Sequence, residues 1–132
     1  GIKTKLLTIN GFEGPDILKV AANAAEGTYY SYSVYDTSST EQHVAAFQKA
    51  YFDAYGEITH EFSANAYDAM MLLGLAIENC SGSRDCIKDY LYKVKNYPGV
   101  SGGTSFDSFG EVSKPMMIKQ LREGKFVRVN FA

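Results

Sequence analysis

The chain has 132 residues, the length of one ordinary domain. Hydrophobic residues make up 45% of it and charged residues 21%, a composition that excludes intrinsic disorder. Thirteen basic against 15 acidic residues give a net charge of −2, so no nucleic-acid partner is expected, because a phosphate backbone needs a basic surface. The longest unbroken apolar run, Ala69–Ile77, has nine residues, whereas a membrane span needs about 20. The chain begins without Met or an apolar leader, which is typical of a processed or excised chain.

The first third of the chain is predicted to form a β-α-β unit. Residues 5–9 favour a short buried strand. Gly14-Pro15-Asp16 is typical of a helix start, and Gly27 is typical of its end. Residues 28–34, which include three tyrosines, favour a second strand.

Three helices are predicted next, and the first and third have clear boundaries. Ser39 and Gln42 have the spacing of a capping box that opens the first helix, and Gly56 ends it. The third helix covers residues 84–95.

The second predicted helix, residues 64–79, is capped by Ser63 and is apolar nearly all round. This pattern favours a central, buried position, in which Met70 and Met71 fill the core.

A hairpin is predicted to close the chain. Tyr97-Pro98-Gly99 interrupts the helical pattern, and residues 104–107 are extended. Residues 116–121 and 126–129 are predicted strands joined by a turn at residues 122–125. The order β-α-β, three helices and a hairpin predicts an α/β fold with a partly parallel sheet.

The only cysteines, Cys80 and Cys86, are six positions apart. A structural zinc site usually needs four Cys or His ligands, and a redox pair usually has the spacing C-x-x-C. A short structural disulfide is therefore predicted, which indicates an oxidising compartment.

Possible catalytic and metal-ligating motifs lack the context that their chemistry needs. Gly99-Val100-Ser101-Gly102-Gly103 has the hydrolase pattern G-x-S-x-G, but that motif needs a helix after the serine, and the chain is extended there. Glu57 and His60 have the spacing of two metal ligands, yet no second pair accompanies them. The chain has neither a phosphate loop nor a dinucleotide-binding motif. We therefore expect no catalytic residues, no metal and no cofactor.

Five further motifs share their order and spacing with one protein family. They are Ala25-Glu26-Gly27 before a strand, Phe47–Tyr55 in a helix, Ala66-Tyr67-Asp68-Ala69 followed by Leu72–Ile77, Gly99-Val100-Ser101-Gly102 with Phe106-Asp107 and Gly110-Glu111, and the closing hairpin Lys119–Val127. With these motifs the chain resembles the C-terminal part of a type I periplasmic binding protein, in the branched-chain amino-acid (Leu/Ile/Val) receptor group of ABC importers.

The resemblance implies a fragment of a fold with two three-layer α/β lobes that hold a ligand between them. It assigns residues 1–35 to a β-α-β element of the second lobe, residues 36–111 to helices and a loop of the first lobe, and residues 112–132 to return strands and the hairpin. Family members are more than twice as long, so the resemblance also implies a missing portion of the first lobe.

The resemblance implies two groups of ligand contacts: the loop residues Asn10, Gly11 and Phe12, and the helix-start residues Ser63, Asn65 and Tyr67. In the amino-acid receptors an acid in that loop binds the ligand ammonium group. Asn10 occupies the corresponding position here, and Glu13 follows three residues later. A helix N-terminus offers N–H groups to an anion. The alternative for each of these residues is a cap or a core contact.

The hypothesis is a non-enzymatic solute-binding module in the periplasm or outside the cell. It would deliver a small ligand, expected to be an amino acid, to an ABC permease through its full-length parent. One alternative is the ligand-sensing ectodomain of a signalling receptor, and another is a serine hydrolase acting through Ser101. Helices without their covering sheet would also favour a homodimer of the fragment.

Overall fold

The computed structural model describes residues 3–130, with the side chains of Pro15 and Ala22 excepted. The chain divides into two compact units. Unit 1 combines Gly1–Ser33 with Met116–Ala132, and unit 2 is the continuous segment Val34–Pro115. Within residues 3–130, none of the helices combines the length and the apolar character that a membrane crossing requires.

Residues 3–130 form seven strands and four α-helices, with two short 3₁₀ turns in the first third. In chain order they are β1 (Leu7–Thr8), the 3₁₀ turn Asn10–Phe12, α1 (Pro15–Val20), the 3₁₀ turn Ala22–Ala25, β2 (Tyr29–Ser33), α2 (Gln42–Tyr55), α3 (Glu61–Cys80), α4 (Arg84–Tyr92), β3 (Tyr97–Gly99), β4 (Gly102–Phe106), β5 (Val112–Ser113), β6 (Met116–Arg122) and β7 (Lys125–Val129).

Unit 1 is built on a four-stranded sheet with the order β1-β2-β6-β7. β1 is parallel to β2, and the other neighbours are antiparallel, which confirms the predicted α/β fold with a partly parallel sheet. The register pairs Ser33 with Met116, the residues at which the chain leaves and re-enters the unit.

The start of unit 1 differs from its prediction. The predicted buried strand at residues 5–9 is reduced to two residues, and Leu7 is 79% exposed. Among the described residues β1 pairs only with β2, at the edge of the sheet, and its apolar neighbours Leu6 and Ile9 are also exposed, so the apolar residues of this segment are not covered by other elements of the chain. The single helix predicted before Gly27 is instead α1 followed by a 3₁₀ turn, and Gly27, at φ +78°, comes two residues after that turn.

The predicted hairpin of β6 and β7 is confirmed, with a shorter turn than expected. Glu123 and Gly124 form the two-residue turn at φ 53° and 69°, the left-handed region that matches strand twist. The carboxylate of Glu26 accepts hydrogen bonds from the backbone N–H groups of Glu123 at 3.0 Å and Gly124 at 2.7 Å. Glu26 therefore caps the turn from outside the hairpin.

Unit 2 packs α2 and α3 around a small core. The buried core residues are Tyr35, Val44, Phe47, Ala64 and Val100. Tyr35 also shares a hydrogen bond with the hydroxyl of Thr59 at 2.5 Å, which satisfies its buried phenol.

The beginnings of α2 and α3 correct two predicted caps. The capping box expected from Ser39 is absent, since α2 begins after Glu41 and has no side-chain cap. Ser63 is not the N-cap of α3 but its third residue, and His60 is the N-cap. His60 and Ser63 form a reciprocal capping box, so the helix starts three residues earlier than predicted. Gly56 ends α2 at φ 69°, as expected.

Only one face of α3 is buried, so the prediction of a helix covered all round is wrong. The buried face carries Ala64, Asp68, Leu72, Ala76 and Cys80. The opposite face carries Met70, Leu73 and Ile77, and Met70 is 66% exposed. Met70 and Met71 therefore do not fill the core. We call Met70, Leu73 and Ile77 the open face of α3.

The second half of unit 2 contains the predicted disulfide and an unexpected strand. Cys80 and Cys86 are bonded, with their Cα atoms 5.5 Å apart, and they join α3 to α4. α4 ends at Tyr92 rather than Lys95. The break predicted at residues 97–99 is β3, which pairs with β4 in a tight antiparallel hairpin.

Candidate functional site

The six expected ligand contacts fall into the two units. Asn10, Gly11 and Phe12 form the first 3₁₀ turn of unit 1, here called the 10–12 turn. Ser63, Asn65 and Tyr67 lie in the first two turns of α3, in unit 2.

Backbone hydrogen bonds and one aromatic side chain form the 10–12 turn. The N–H of Phe12 donates to the carbonyl of Ile9 at 3.0 Å, and the N–H of Glu13 donates to the carbonyl of Asn10 at 3.1 Å. The ring of Phe12 packs against Tyr30 and Phe126, with centroids 5.5 and 6.3 Å apart. Phe12 thus makes a core contact that fastens the turn to the sheet.

The residue after this turn, Glu13, is the centre of a polar cluster. Its carboxylate accepts a hydrogen bond from the Tyr30 hydroxyl at 2.5 Å and two from Lys119 Nζ at 2.6 and 2.7 Å. Lys119 Nζ also lies 4.3 Å from the centroid of the Tyr32 ring. Burial, and then the bond to Glu13, raise the pKa of Tyr30 well above its ordinary value.

Ser63 has its polar groups engaged by the helix cap. Its N–H donates to Nδ1 of His60 at 3.4 Å, and its hydroxyl accepts from the N–H of His60 at 2.9 Å. The same hydroxyl donates to the carbonyl of His60 at 2.7 Å. Ser63 therefore fills the cap role that was the alternative to ligand contact.

Asn65 and Tyr67 have different surroundings on α3. The side-chain oxygen of Asn65 accepts a hydrogen bond from Lys114 Nζ at 2.8 Å. The ring of Tyr67 packs on Phe47 with centroids 4.8 Å apart, while Tyr67 remains 41% exposed. Of the three, Tyr67 presents the most accessible surface to a ligand.

Asp68 belongs to one of the sequence motifs, but sequence reasoning did not predict its structural role. This acidic residue is only 3% exposed. Its carboxylate accepts the N–H groups of Val100 and Ser101, both at 2.8 Å, and the hydroxyl of Ser101. A Cβ at Gly99 would collide with this carboxylate, so the β3–β4 turn needs glycine there. An acidic residue inside an otherwise apolar helix was the available signal.

Lys114, which is partly buried, joins the network around Asp68. Its Nζ donates to the hydroxyl of Ser101 as well as to Asn65. Burial lowers the pKa of Lys114, and the nearby carboxylates of Asp68 and Glu61 oppose that shift. The network ties the segment before β6 to α3 and to the β3–β4 turn.

The network of Asp68, Ser101 and Lys114 stabilises the packing of unit 2, and it does not present Ser101 as a nucleophile. Ser101 has no exposed surface and lies in the turn of a β-hairpin, where no strand-to-helix elbow presents its hydroxyl. Among residues 3–130, no group of three or more His, Cys, Asp or Glu side chains could hold a metal ion.

The chain is similar to a known protein family and to several solved structures. The sequence profile of the family described as periplasmic binding protein matches residues 1–125. The leucine-binding protein LivK of Thermotoga maritima superposes with a TM-score of 0.79 at 23% identity, over 98% of this chain and 37% of that one. LivJ of Streptococcus pneumoniae, in complex with isoleucine, superposes with a TM-score of 0.72 at 29% identity, over 98% of this chain and 38% of that one. Among curated proteins, none matches the sequence.

A longer relative has the same local fold. The extracellular ligand binding receptor of Desulfohalobium retbaense superposes with a TM-score of 0.75 at 25% identity, over 98% of this chain and 23% of that one. The chain therefore spans well under half the length of each of these relatives. The resemblance to branched-chain amino-acid receptors is confirmed. This chain belongs to the periplasmic binding protein family and covers only part of that family's fold.

Proposed function

We propose that the chain is part of a receptor that binds a small solute, an amino acid, and delivers it to an ABC importer. The observation that supports this most is the family match over residues 1–125, together with 29% identity to a relative that holds isoleucine. The permease would be contacted by the complete receptor.

The proposed ligand contacts of this chain are Asn10, Gly11 and Phe12 in unit 1, and Ser63, Asn65 and Tyr67 in unit 2. The 10–12 turn would contact the polar end or the side chain of the ligand. The start of α3 would favour a carboxylate through its helix dipole and Tyr67. A ligand that bridges two lobes stabilises their closed state by contacts that one lobe alone cannot make. Because this chain lacks most of the first lobe, it should by itself bind the ligand only weakly.

The division of the chain supports the proposed assignment of lobes. Residues 1–35 and 112–132 would belong to the second lobe, and residues 36–111 to the first, of which the remainder is missing from this chain. The two units separate after Ser33 and after Pro115, within a few residues of these limits.

The open face of α3 points to what this unit lacks. Met70, Leu73 and Ile77 are all exposed on one face of this helix, and clustered exposed apolar side chains often mark an interaction surface. The missing part of the first lobe would cover Met70, Leu73 and Ile77 in the complete receptor. In the isolated chain a second copy would cover them.

The site assignment is tested by calorimetric titration of the complete receptor and of this chain with leucine, isoleucine and the other amino acids. The complete receptor should bind one of them with a micromolar or lower Kd, as is typical of moderate to tight recognition. Asn10→Ala and Tyr67→Ala should abolish that binding. The exposed residues Asn79 and Tyr55 provide matched alanine controls that should bind normally. If the two site variants retain full affinity, the assignment is wrong.

Sensing is the second candidate function, and one observation favours it. The relative from Desulfohalobium retbaense is an extracellular ligand binding receptor of which this chain covers only 23%. The gene that encodes the complete receptor decides between the two. A membrane-spanning segment followed by a cytoplasmic module would indicate a sensor, and a chain that ends with the second lobe would indicate an importer component.

The disulfide supports a location in the periplasm or outside the cell. Cys80 and Cys86 are bonded, and such bonds persist in oxidising compartments.

A further inference from the structure

We propose that Glu13 is a positioning residue that holds the 10–12 turn against the sheet of unit 1 and does not itself contact ligand. The proposal rests on the proposed function to the extent that the turn is taken to bind the ligand.

Both oxygens of the Glu13 carboxylate are already engaged within unit 1. One accepts from Tyr30 at 2.5 Å and from Lys119 at 2.6 Å, and the other accepts from Lys119 at 2.7 Å. The side chains of Lys119 and Glu13 are only 15% and 23% exposed, so water screens their attraction weakly. A ligand cation would have to displace a lysine ammonium that is in direct contact with the carboxylate.

The positions of the three partners explain how the contact acts on the turn. Glu13 is the residue directly after the turn, while Tyr30 and Lys119 are paired neighbours on β2 and β6. The carboxylate therefore fastens the end of the turn to the two central strands of the sheet. The ring of Phe12 packs beside the same tyrosine.

A turn held in this way is ordered before any ligand arrives. Binding then incurs less loss of conformational freedom, because the segment does not have to be fixed at that moment. Removing the Glu13 contacts should therefore lower the affinity for every ligand that contacts the turn, whatever charge the ligand carries.

Hydrogen exchange measured by NMR on this chain tests the positioning role without a ligand. Glu13→Gln and Lys119→Met should each speed exchange of the Phe12 and Glu13 amides by about tenfold, since local opening no longer breaks the ion pair. The double variant should exchange no faster than either single variant, because both changes remove one interaction. Glu123→Gln removes the same charge from an exposed site in the same unit and should change nothing.

The exchange pattern also separates local positioning from general stability. The amides of Tyr30 and Gln120, in the sheet, should exchange at the wild-type rate in Glu13→Gln. Unchanged exchange at Phe12, or equal acceleration throughout unit 1, would overturn the proposal.

Titration with leucine and with isocaproate, which is leucine without its ammonium group, provides the second readout. If Glu13 positions the turn, Glu13→Gln weakens both probes by the same factor. If Glu13 contacts the ammonium group, the variant weakens leucine alone, and the proposal is wrong. Should the wild-type chain bind neither probe at millimolar concentration, the proposed half-site fails, and the exchange result decides the role of Glu13 by itself.

Discussion

Replacing Asp68 by asparagine should strongly destabilise unit 2. The substitution keeps the shape of the side chain and one acceptor oxygen. It replaces the other oxygen by an amide NH₂ group, which must face a backbone N–H or the hydroxyl of Ser101. It also removes a negative charge from the neighbourhood of Lys114, whose partly buried ammonium group bonds the hydroxyl of Ser101 in the same network.

The size of the effect follows from the three hydrogen bonds that the carboxylate accepts. Hydrogen bonds to a charged group contribute about 1.5–3 kcal/mol each. Because asparagine retains one acceptor, we expect the free energy of unfolding to fall by about 3 kcal/mol. A typical domain has a total of about 5–15 kcal/mol.

Urea unfolding followed by helical circular dichroism measures this loss, since α2, α3 and α4 all lie in unit 2. With a slope of about 1–1.5 kcal/mol per molar urea, the midpoint should fall by about 2–3 M. Asp53→Asn is the matched control, because Asp53 forms an exposed ion pair with Lys49 that contributes less than about 0.5 kcal/mol.

A second variant tests the same contact from the other side. Gly99→Ala places a Cβ against the Asp68 carboxylate and should also destabilise unit 2. The two substitutions together should cost less than the sum of their separate effects, because they damage one interaction. If Asp68→Asn lowers the midpoint no more than Asp53→Asn does, the reasoning is refuted.

Three further predictions concern other parts of the chain. Thiol titration should find no free thiol before reduction and two afterwards, and Cys80→Ser with Cys86→Ser should cost about 2 kcal/mol by loop entropy; a thiol signal in the unreduced protein would contradict the disulfide. Burial raises the pKa of Tyr30 in the folded protein, so its neutral phenol contributes fully to the stability of unit 1 below pH 10, the ordinary tyrosine value. This contribution is lost as the pH rises above 10. Absorbance titration should therefore show a late-ionising tyrosine that is missing in Tyr30→Phe, and an unchanged late phase would exclude the assignment. Light scattering should show that the isolated chain self-associates and that the double variant Met70→Asp with Ile77→Asp is monomeric. The control variant Lys88→Asp, at an exposed position of α4, should still self-associate. A monomeric wild-type chain at high concentration would rule out a role for the open face of α3.

The features that sequence patterns predicted correctly are those with local causes. Gly56 ends α2 because glycine adopts the left-handed backbone there at no steric cost, and the hairpin is marked by Gly124 between two apolar runs. The short loop between Cys80 and Cys86 likewise limits the distance between their Cα atoms.

The features that were missed depend on partners far away in the sequence. Asp68 bonds Ser101 across 33 residues, and Glu13 bonds Lys119 across 106, so no local pattern links them. The apolar pattern of α3 predicts burial of the open face because the pattern reflects all the elements that the helix packs against in the complete fold, including those that this chain lacks. Sequence patterns do not identify His60 as the N-cap because Ser, Thr, Asp and Asn are the usual capping residues. They favour the nearby Ser63 instead.

The discontinuity of unit 1 has a consequence for the order in which the chain folds as it is synthesised. Unit 2 is one continuous segment, whereas the pairing of Ser33 with Met116 closes a loop of all the residues between them. β1 and β2 leave the ribosome long before β6 exists, so until then β2 exposes an unpaired edge. Closing this loop in an unfolded chain costs conformational entropy. If unit 2 folds first, it holds the ends of the two strands close together and removes most of that entropic cost. β6 then pairs with β2, and β7 pairs with β6, which gives the strand order β1-β2-β6-β7.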